Sequence, residues 1–180
     1  ERLRSIINDM LFLARADQGE AATSLVRTSI ALEIGKTVEF FEFVLDDLKM
    51  AVTVDGDVNA EASIETSLFK RAMSNLLHNA IQHSDPGAAI AVTITQQPTA
   101  IRVAVSNPGK PIAENHLPRL FDRFYRVDAA RNDTNQSQLH GHGLGLAIVK
   151  AIAKMHGGSV FANSVDGMTT IGFSIPAGAR

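Results

Sequence analysis

An α+β two-layer sandwich, with helices on one face of a sheet, is the fold class this sequence predicts. Segments 30–47, 64–83 and 144–155 repeat apolar residues at helical spacing, whereas 90–95, 101–105, 159–162 and 169–175 read as strands. The strands come as antiparallel hairpins, joined through residues 96–100 and around Asp166-Gly167. With 180 residues, 45% hydrophobic and 20% charged, the chain can bury a real core and form one α/β domain plus an appendage.

The chain opens inside a helical pattern. In ERLRSIINDMLFLARADQGE no capping residue precedes Glu1, the expectation for a fragment, and Leu3, Ile6, Ile7, Met10, Leu13 and Ala14 recur at steps of three and four. Such a stripe needs a partner, either another helix of a bundle or its own domain. A helix over 30–47 follows, with Ile34, Val38, Phe41 and Leu45 on one side, then a strand over 50–54 closed by the turn signal Asp55-Gly56-Asp57. The helix over 64–83 stops at Ser84-Asp85-Pro86-Gly87. Residues 128–140 are polar and almost free of apolar side chains, so they predict a mobile loop placed as a lid before the glycine-rich turn. The helix over 144–155 is apolar nearly all round and therefore buried.

Composition removes several function classes. Seventeen basic against nineteen acidic residues give no field suited to nucleic-acid phosphates. The absence of cysteine excludes disulfides and thiolate zinc sites. No apolar run reaches about 18 residues, so this polypeptide neither spans nor crosses a membrane by itself.

Two runs carry chemistry. In NLLHNAIQHS (75–84), Asn75 and Asn79 stand four apart, next to Gln82 and His83, and share one helical face. Leu68, Phe69, Ala72, Met73, Leu76, Leu77, Ala80 and Ile81 supply the opposing apolar stripe. In HGHGLGLAIVKAIAKMHGG (140–158), Gly141, Gly143 and Gly145 sit at the mouth of an apolar helix, where unpaired amides and the positive dipole end favour phosphate oxygens. The spacing lacks the final x-x-G of a dinucleotide fingerprint, and the turn follows a polar loop in place of a strand. His140 and His142, two apart on a glycine turn, lack a third metal ligand in sequence.

These runs, with VSNPGKPI (105–112) and LFDRFYRVD (120–128) between them, resemble the N box, first glycine box, F box and second glycine box of the catalytic and ATP-binding domain of bacterial sensor histidine kinases. That family lies in the wider superfamily shared with gyrase, Hsp90 and MutL. NPGKPI with LFDRFYRVDAAR is especially similar to the heavy-metal (copper or silver) sensor kinases.

The resemblance implies a Bergerat-type fold over 29–180, a linker over 18–28, and residues 1–17 as the end of the second helix of a dimerisation and phosphoacceptor bundle. It implies ATP and Mg²⁺ as ligands, homodimerisation through that bundle, a cognate response regulator as partner, and a whole protein at the cytoplasmic side of the bacterial inner membrane, anchored by other segments. Asn79 is expected to bind Mg²⁺, because an amide oxygen is a hard ligand. Asn75 stands where gyrase-type relatives place a glutamate that activates water, and an amide cannot take that proton, so hydrolysis should be slow. Arg126 is the guanidinium expected at the γ-phosphate; Arg123 reads more simply as a solvated side chain. Phe121 and Phe124 are expected to anchor the lid's base in the core, and the resemblance also implies that Phe121 contacts the nucleotide. Asn107 replaces the family's usual aspartate and Pro111 its glycine. The Asn107 amide can still accept from the adenine amine, more weakly than a carboxylate. Gly109 is expected to admit close backbone approach to the base, although Asn-Pro-Gly also reads as a type II turn. Gln82 and His83 are expected near the phosphates, with simple helix-end packing the alternative for His83. Ile112, His142, Leu144 and Leu146 complete the nucleotide contacts that the resemblance implies. The six histidines lie in or between the boxes, so no acceptor histidine is present and the fragment is not expected to phosphorylate itself. A nucleotide-binding regulatory module without transfer activity is the alternative function, supported by Asn107 and Pro111.

Overall fold

The computed structural model describes residues 2–127 and 142–178. The elements follow the order α1 (Arg2–Asp17), β1 (Val26–Ser29), α2 (Ile30–Asp47), β2 (Ala51–Gly56), β3 (Glu61–Ile64), α3 (Thr66–Gln82), β4 (Ala89–Gln96), β5 (Ala100–Pro108), a 3₁₀ turn (Leu117–Arg119), α4 (Gly145–Met155), β6 (Val160–Val165) and β7 (Met168–Pro176). The main sheet has the order β2-β4-β5-β7-β6. Only β2 and β4 pair in parallel, because β3 and α3 make the crossover between them; the other pairs are antiparallel.

The strands show why one face carries the helices. Ile90, Val92 and Ile94 of β4, Ile101, Val103 and Val105 of β5, and Ile171, Phe173 and Ile175 of β7 are all buried. Residues between them face the other way and are small or polar: the Ser106 and Thr170 hydroxyls pair at 2.7 Å, and the Arg102 guanidinium lies 3.8 Å from the Phe161 ring centroid. The inner face receives α3 through Phe69, Ala72, Met73, Leu76, Leu77, Ala80 and Ile81, with Phe69 edge-on to Phe173 at 5.6 Å. Helix α4 adds Ala147, Ile148, Val149, Ile152 and Ala153. The two-layer expectation therefore holds.

Several boundaries, and the partnering of the first helix, differ from the sequence reading. The third helix starts at Thr66, not at 64, because Ile64 ends a strand that pairs with β1, and the linker expected to end at 28 thus contributes strand residues of its own. These four-residue strands are too short for periodicity to separate from a helix start. The β2 strand runs through Gly56 to a turn at Asp57, whose N–H donates to the Ile94 carbonyl at 2.8 Å. Helix α1 is not a wholly unpartnered stripe: Phe12 and Leu13 are buried against the rest of the chain, while Leu3, Ile7, Met10 and Leu11 stay exposed. The expected lid over 128–140, with His140 and Gly141, lies outside the described residues.

Candidate nucleotide-binding site

The inward rows of β5 and β7 change character at one end. Ile101, Val103, Val105, Asn107 and Ile175, Phe173, Ile171, Thr169 each finish on a polar residue, and the register sets Asn107 directly opposite Thr169. Asn107 is 2% exposed and Thr169 6%. The Asn107 Nδ2 donates to the Pro108 carbonyl at 3.1 Å, which orients the amide and leaves its oxygen as an acceptor. Thr169 was not singled out in the sequence; the signal for it was a polar residue closing an otherwise apolar inward row.

The end of α3 meets this corner. Ser84 Oγ donates to the Ala80 carbonyl at 2.7 Å and reaches the Pro108 carbonyl at 3.3 Å. A Cβ on Gly109 would lie 3.0 Å from the His83 carbonyl oxygen. Gly109 does not have a positive φ, so the type II turn reading fails and close approach to α3 is the reason for glycine here. Its N–H donates to the Gly167 carbonyl at 3.0 Å, and Ile112 N–H donates to Ser164 Oγ at 2.9 Å, so the first glycine box is tied to both β6 and the β6–β7 turn. Pro111 is exposed and Ile112 half-buried.

Along α3, Arg71, Asn75 and Asn79 follow one another at four-residue steps beside the apolar stripe. The Asn75 Nδ2 donates to the Arg71 carbonyl at 3.0 Å. Its oxygen points at α4, because a Cβ on Gly145 would sit 3.0 Å from Asn75 Oδ1. Glycine thus lets the first turn of α4 close on the polar side of α3. Leu144, 1% exposed, is the N-cap residue and its own side chain makes no capping bond, so the first amides of α4 are donors that the cap residue does not use. Asn75, Asn79, Gln82, His142 and Leu146 are half-buried and His83 exposed at the α3 C-terminus. Burial holds the His78 imidazole below its ordinary value of 6.5, which keeps it neutral near pH 7.

The F box joins the second glycine box through backbone. Phe124 N–H donates to the Gly143 carbonyl at 2.8 Å, and a Cβ on Gly143, whose φ is 73°, would fall 2.9 Å from the Phe124 Cα. Phe121 is buried as expected, but Phe124 is 55% exposed with φ 62°, so only the first phenylalanine anchors this segment in the core. The left-handed backbone at Phe124 turns its side chain outward. Arg126 is exposed. Arg123 is not merely solvated, since its Nη2 meets Asp17 Oδ2 at 2.5 Å. Each box therefore touches the next: first glycine box to the end of α3, Asn75 to Gly145, and Gly143 to Phe124. An open hollow of about 700 Å³ bordered by Arg27, Asn59, Glu61, Gln96, Gln97 and Pro98 contains none of these residues.

Comparison with known proteins finds a family and several relatives. A family model described as "Histidine kinase-, DNA gyrase B-, and HSP90-like ATPase" matches residues 64–179. Sensor histidine kinase CusS of Escherichia coli O157:H7 is 42% identical over 163 residues, covering 91% of this chain and 33% of that protein. The chain spans about a third of the length of the curated relatives it matches. Among solved structures, Acinetobacter baumannii histidine kinase AdeS superposes with a TM-score of 0.80 at 18% identity, over 99% of this chain and 80% of that one. Histidine kinase ThkA, solved in complex with response regulator protein TrrA, superposes with a TM-score of 0.70 at 22% identity, over 86% of this chain and 42% of that one.

Proposed function

The chain belongs to the histidine kinase-, DNA gyrase B- and HSP90-like ATPase family, and from that premise we propose that it is the ATP-binding catalytic unit of a two-component sensor histidine kinase. The observation that carries this reading is the approach of Asn75 to Gly145, which sets the polar side of α3 against the first turn of α4. The residues present suit a nucleotide: an oriented buried amide at Asn107 for the adenine amine, with Thr169 beside it, and helix-terminal donors for phosphate oxygens. Gly109, Ile112 and Phe121 border the base side. Gly143, Leu144, Gly145 and Leu146, with His142, form the phosphate side, to which Gly141 is assigned from the sequence alone; Gln82 and His83 stand at its α3 end.

Asn79 would hold Mg²⁺ through its amide oxygen, and the cation would neutralise phosphate charge. Arg126 is the guanidinium assigned to the γ-phosphate. Asn75 offers no basic group to water, and its N–H is committed to the Arg71 carbonyl. The site therefore favours transfer over hydrolysis. In that transfer the bond from the γ-phosphorus to the β,γ-bridging oxygen breaks, ADP leaves with the electron pair, and a new bond forms to an imidazole nitrogen of a bundle histidine.

In the whole protein, residues 1–17 end the second bundle helix, 18–28 are the linker and 29–180 the catalytic domain. The bundle dimerises, a cognate response regulator receives the phosphoryl group, and other segments hold the protein at the inner membrane. The TrrA complex of ThkA supports the regulator as partner. A decisive assay mixes the chain with Mg-ATP and a separately prepared acceptor bundle. Phosphohistidine should form on the bundle, with little phosphate released by the chain alone. Nucleotide binding without transfer would favour a regulatory module, steady phosphate release a gyrase-like hydrolase, and no binding at millimolar nucleotide would end the reading.

A further inference from the structure

The residue assigned to the adenine amine is an amide, and an amide, unlike a carboxylate, has two unlike ends. Its oxygen accepts and its nitrogen donates, so one orientation suits the 6-amino group of adenine and the other the 6-carbonyl of guanine. Asn107 is 2% exposed, so the choice is made by protein groups. Thr169, opposite it in the register, leaves both orientations open, because a hydroxyl donates or accepts. A neighbouring peptide decides. Asn107 Nδ2 donates to the Pro108 carbonyl at 3.1 Å, and a carbonyl only accepts, so a turned amide would set two oxygens against each other. Residue 108, being proline, has no N–H to draw Oδ1 to the same side. The Pro108–Gly109 peptide is itself held at both edges. On its carbonyl side Ser84 Oγ reaches it at 3.3 Å from the end of α3, where the same hydroxyl meets the Ala80 carbonyl at 2.7 Å. On its N–H side Gly109 donates to the Gly167 carbonyl at 3.0 Å. The peptide also lies close against α3 and the amide: a Cβ on Gly109 would sit 3.0 Å from the His83 carbonyl oxygen and 3.6 Å from Asn107 Nδ2.

We propose that this pinned peptide sets the base selectivity of the site: Ser84 and Pro108 are positioning residues that keep the Asn107 oxygen toward the base, and so make the chain select adenine over guanine. This selectivity rests on the nucleotide reading above. An aspartate at 107 would offer two like oxygens and need no such orientation, whereas the amide selects only through its neighbours. The sign follows from the donor set. A change that lets the Pro108 carbonyl swing away removes the partner of Nδ2 and lets the amide turn. The turned amide withdraws an acceptor from the adenine amine and offers a donor to the guanine carbonyl.

The test titrates ATP and GTP separately into the parent, Ser84→Ala, Ser84→Thr and Pro108→Ala. The parent should prefer ATP. Ser84→Ala and Pro108→Ala should each cut the ATP-over-GTP affinity ratio about threefold to tenfold, through weaker ATP and tighter GTP binding. Ser84→Thr keeps the hydroxyl and should keep the parent's ratio. Ser84→Ala placed in an Asn107→Asp background should leave that background's ratio unmoved, because a carboxylate presents no donor. A merely structural Ser84 would weaken both nucleotides alike, in both backgrounds. A parent without preference for ATP, an unchanged ratio in Ser84→Ala and Pro108→Ala, or an equal fall of the ratio in the Asn107→Asp background overturns the proposal. If the parent binds neither nucleotide, the nucleotide reading has failed and the selectivity falls with it; if the parent prefers ATP and the variants keep that preference, the orienting role of Ser84 and Pro108 alone has failed.

Discussion

At the floor of the candidate site, Asn107 and Thr169 close two rows of fully buried apolar side chains, whereas at its rim Gly143 and Phe124 hold each other through backbone while the Phe124 ring and Arg126 stand in solvent. The apolar side chains of those rows are fixed by burial, so removing one costs the whole fold, whereas the polar ends that close them are assigned to the ligand. Rim residues are fixed by dihedral angles and close approach, and their removal costs geometry at the ligand. Stability and nucleotide affinity should therefore separate cleanly between the two regions.

The largest effect is expected from Phe173→Ala, which deletes a fully buried ring packed on Phe69. Denaturant unfolding should show a loss of about 3–5 kcal/mol. Gly143→Ala forces a side chain into a left-handed residue against the Phe124 backbone. Strain of about 1–3 kcal/mol should appear mainly as weaker nucleotide binding, about tenfold or more by titration, with a small change in melting temperature. A large fall in melting temperature with affinity intact would erase the distinction between the regions. Asn107→Leu replaces the floor's polar end with an apolar isostere, and ATP affinity should drop by about 1–3 kcal/mol while unfolding changes less. GTP, which carries a carbonyl where adenine has the 6-amino group that Asn107 is assigned, should bind equally poorly to parent and variant.

The smallest effect concerns His78. Its folded-state pKa is lowered by burial, so the unfolded chain binds the proton more readily. The stability this contributes is complete above about pH 6.5 and declines as pH falls through that value toward the folded pKa. His78→Gln should flatten the stability profile between about pH 7 and pH 5 relative to the parent. Identical slopes would mean that burial of His78 carries no such cost.

Much of the floor was readable in the sequence because burial leaves periodic traces: the α3 stripe from Phe69 to Ile81 and the alternating β4, β5 and β7 rows lie where the apolar residues predict. The resemblance to sensor kinases rested on the ordered boxes, and NPGKPI with LFDRFYRVDAAR pointed toward the kinases among which CusS stands. The rim was less legible. Nothing in LFDRFYRVD distinguishes Phe121, which packs inward, from Phe124, which a left-handed backbone turns out. Long-range polar contacts were also hidden. The ion pairs of Arg71 and Arg123 join residues 62 and 106 positions apart. His156, read only as part of a glycine-rich run, donates from Nδ1 to the Ile152 carbonyl at 2.8 Å and accepts the Glu65 N–H on Nε2 at 3.1 Å, tying the end of α4 to the start of α3. Such pairings depend on tertiary closure, which no local pattern encodes.

Calorimetric titration of ATP into the parent and into Asn79→Ala, each with Mg²⁺ and again with a chelator, interrogates the proposed site most directly. The parent should bind more tightly with Mg²⁺ than without it, and Asn79→Ala should lose that difference while still binding the adenine nucleotide. An Asn79→Ala protein whose Mg²⁺ dependence matches the parent's would contradict the assignment of the cation to this amide.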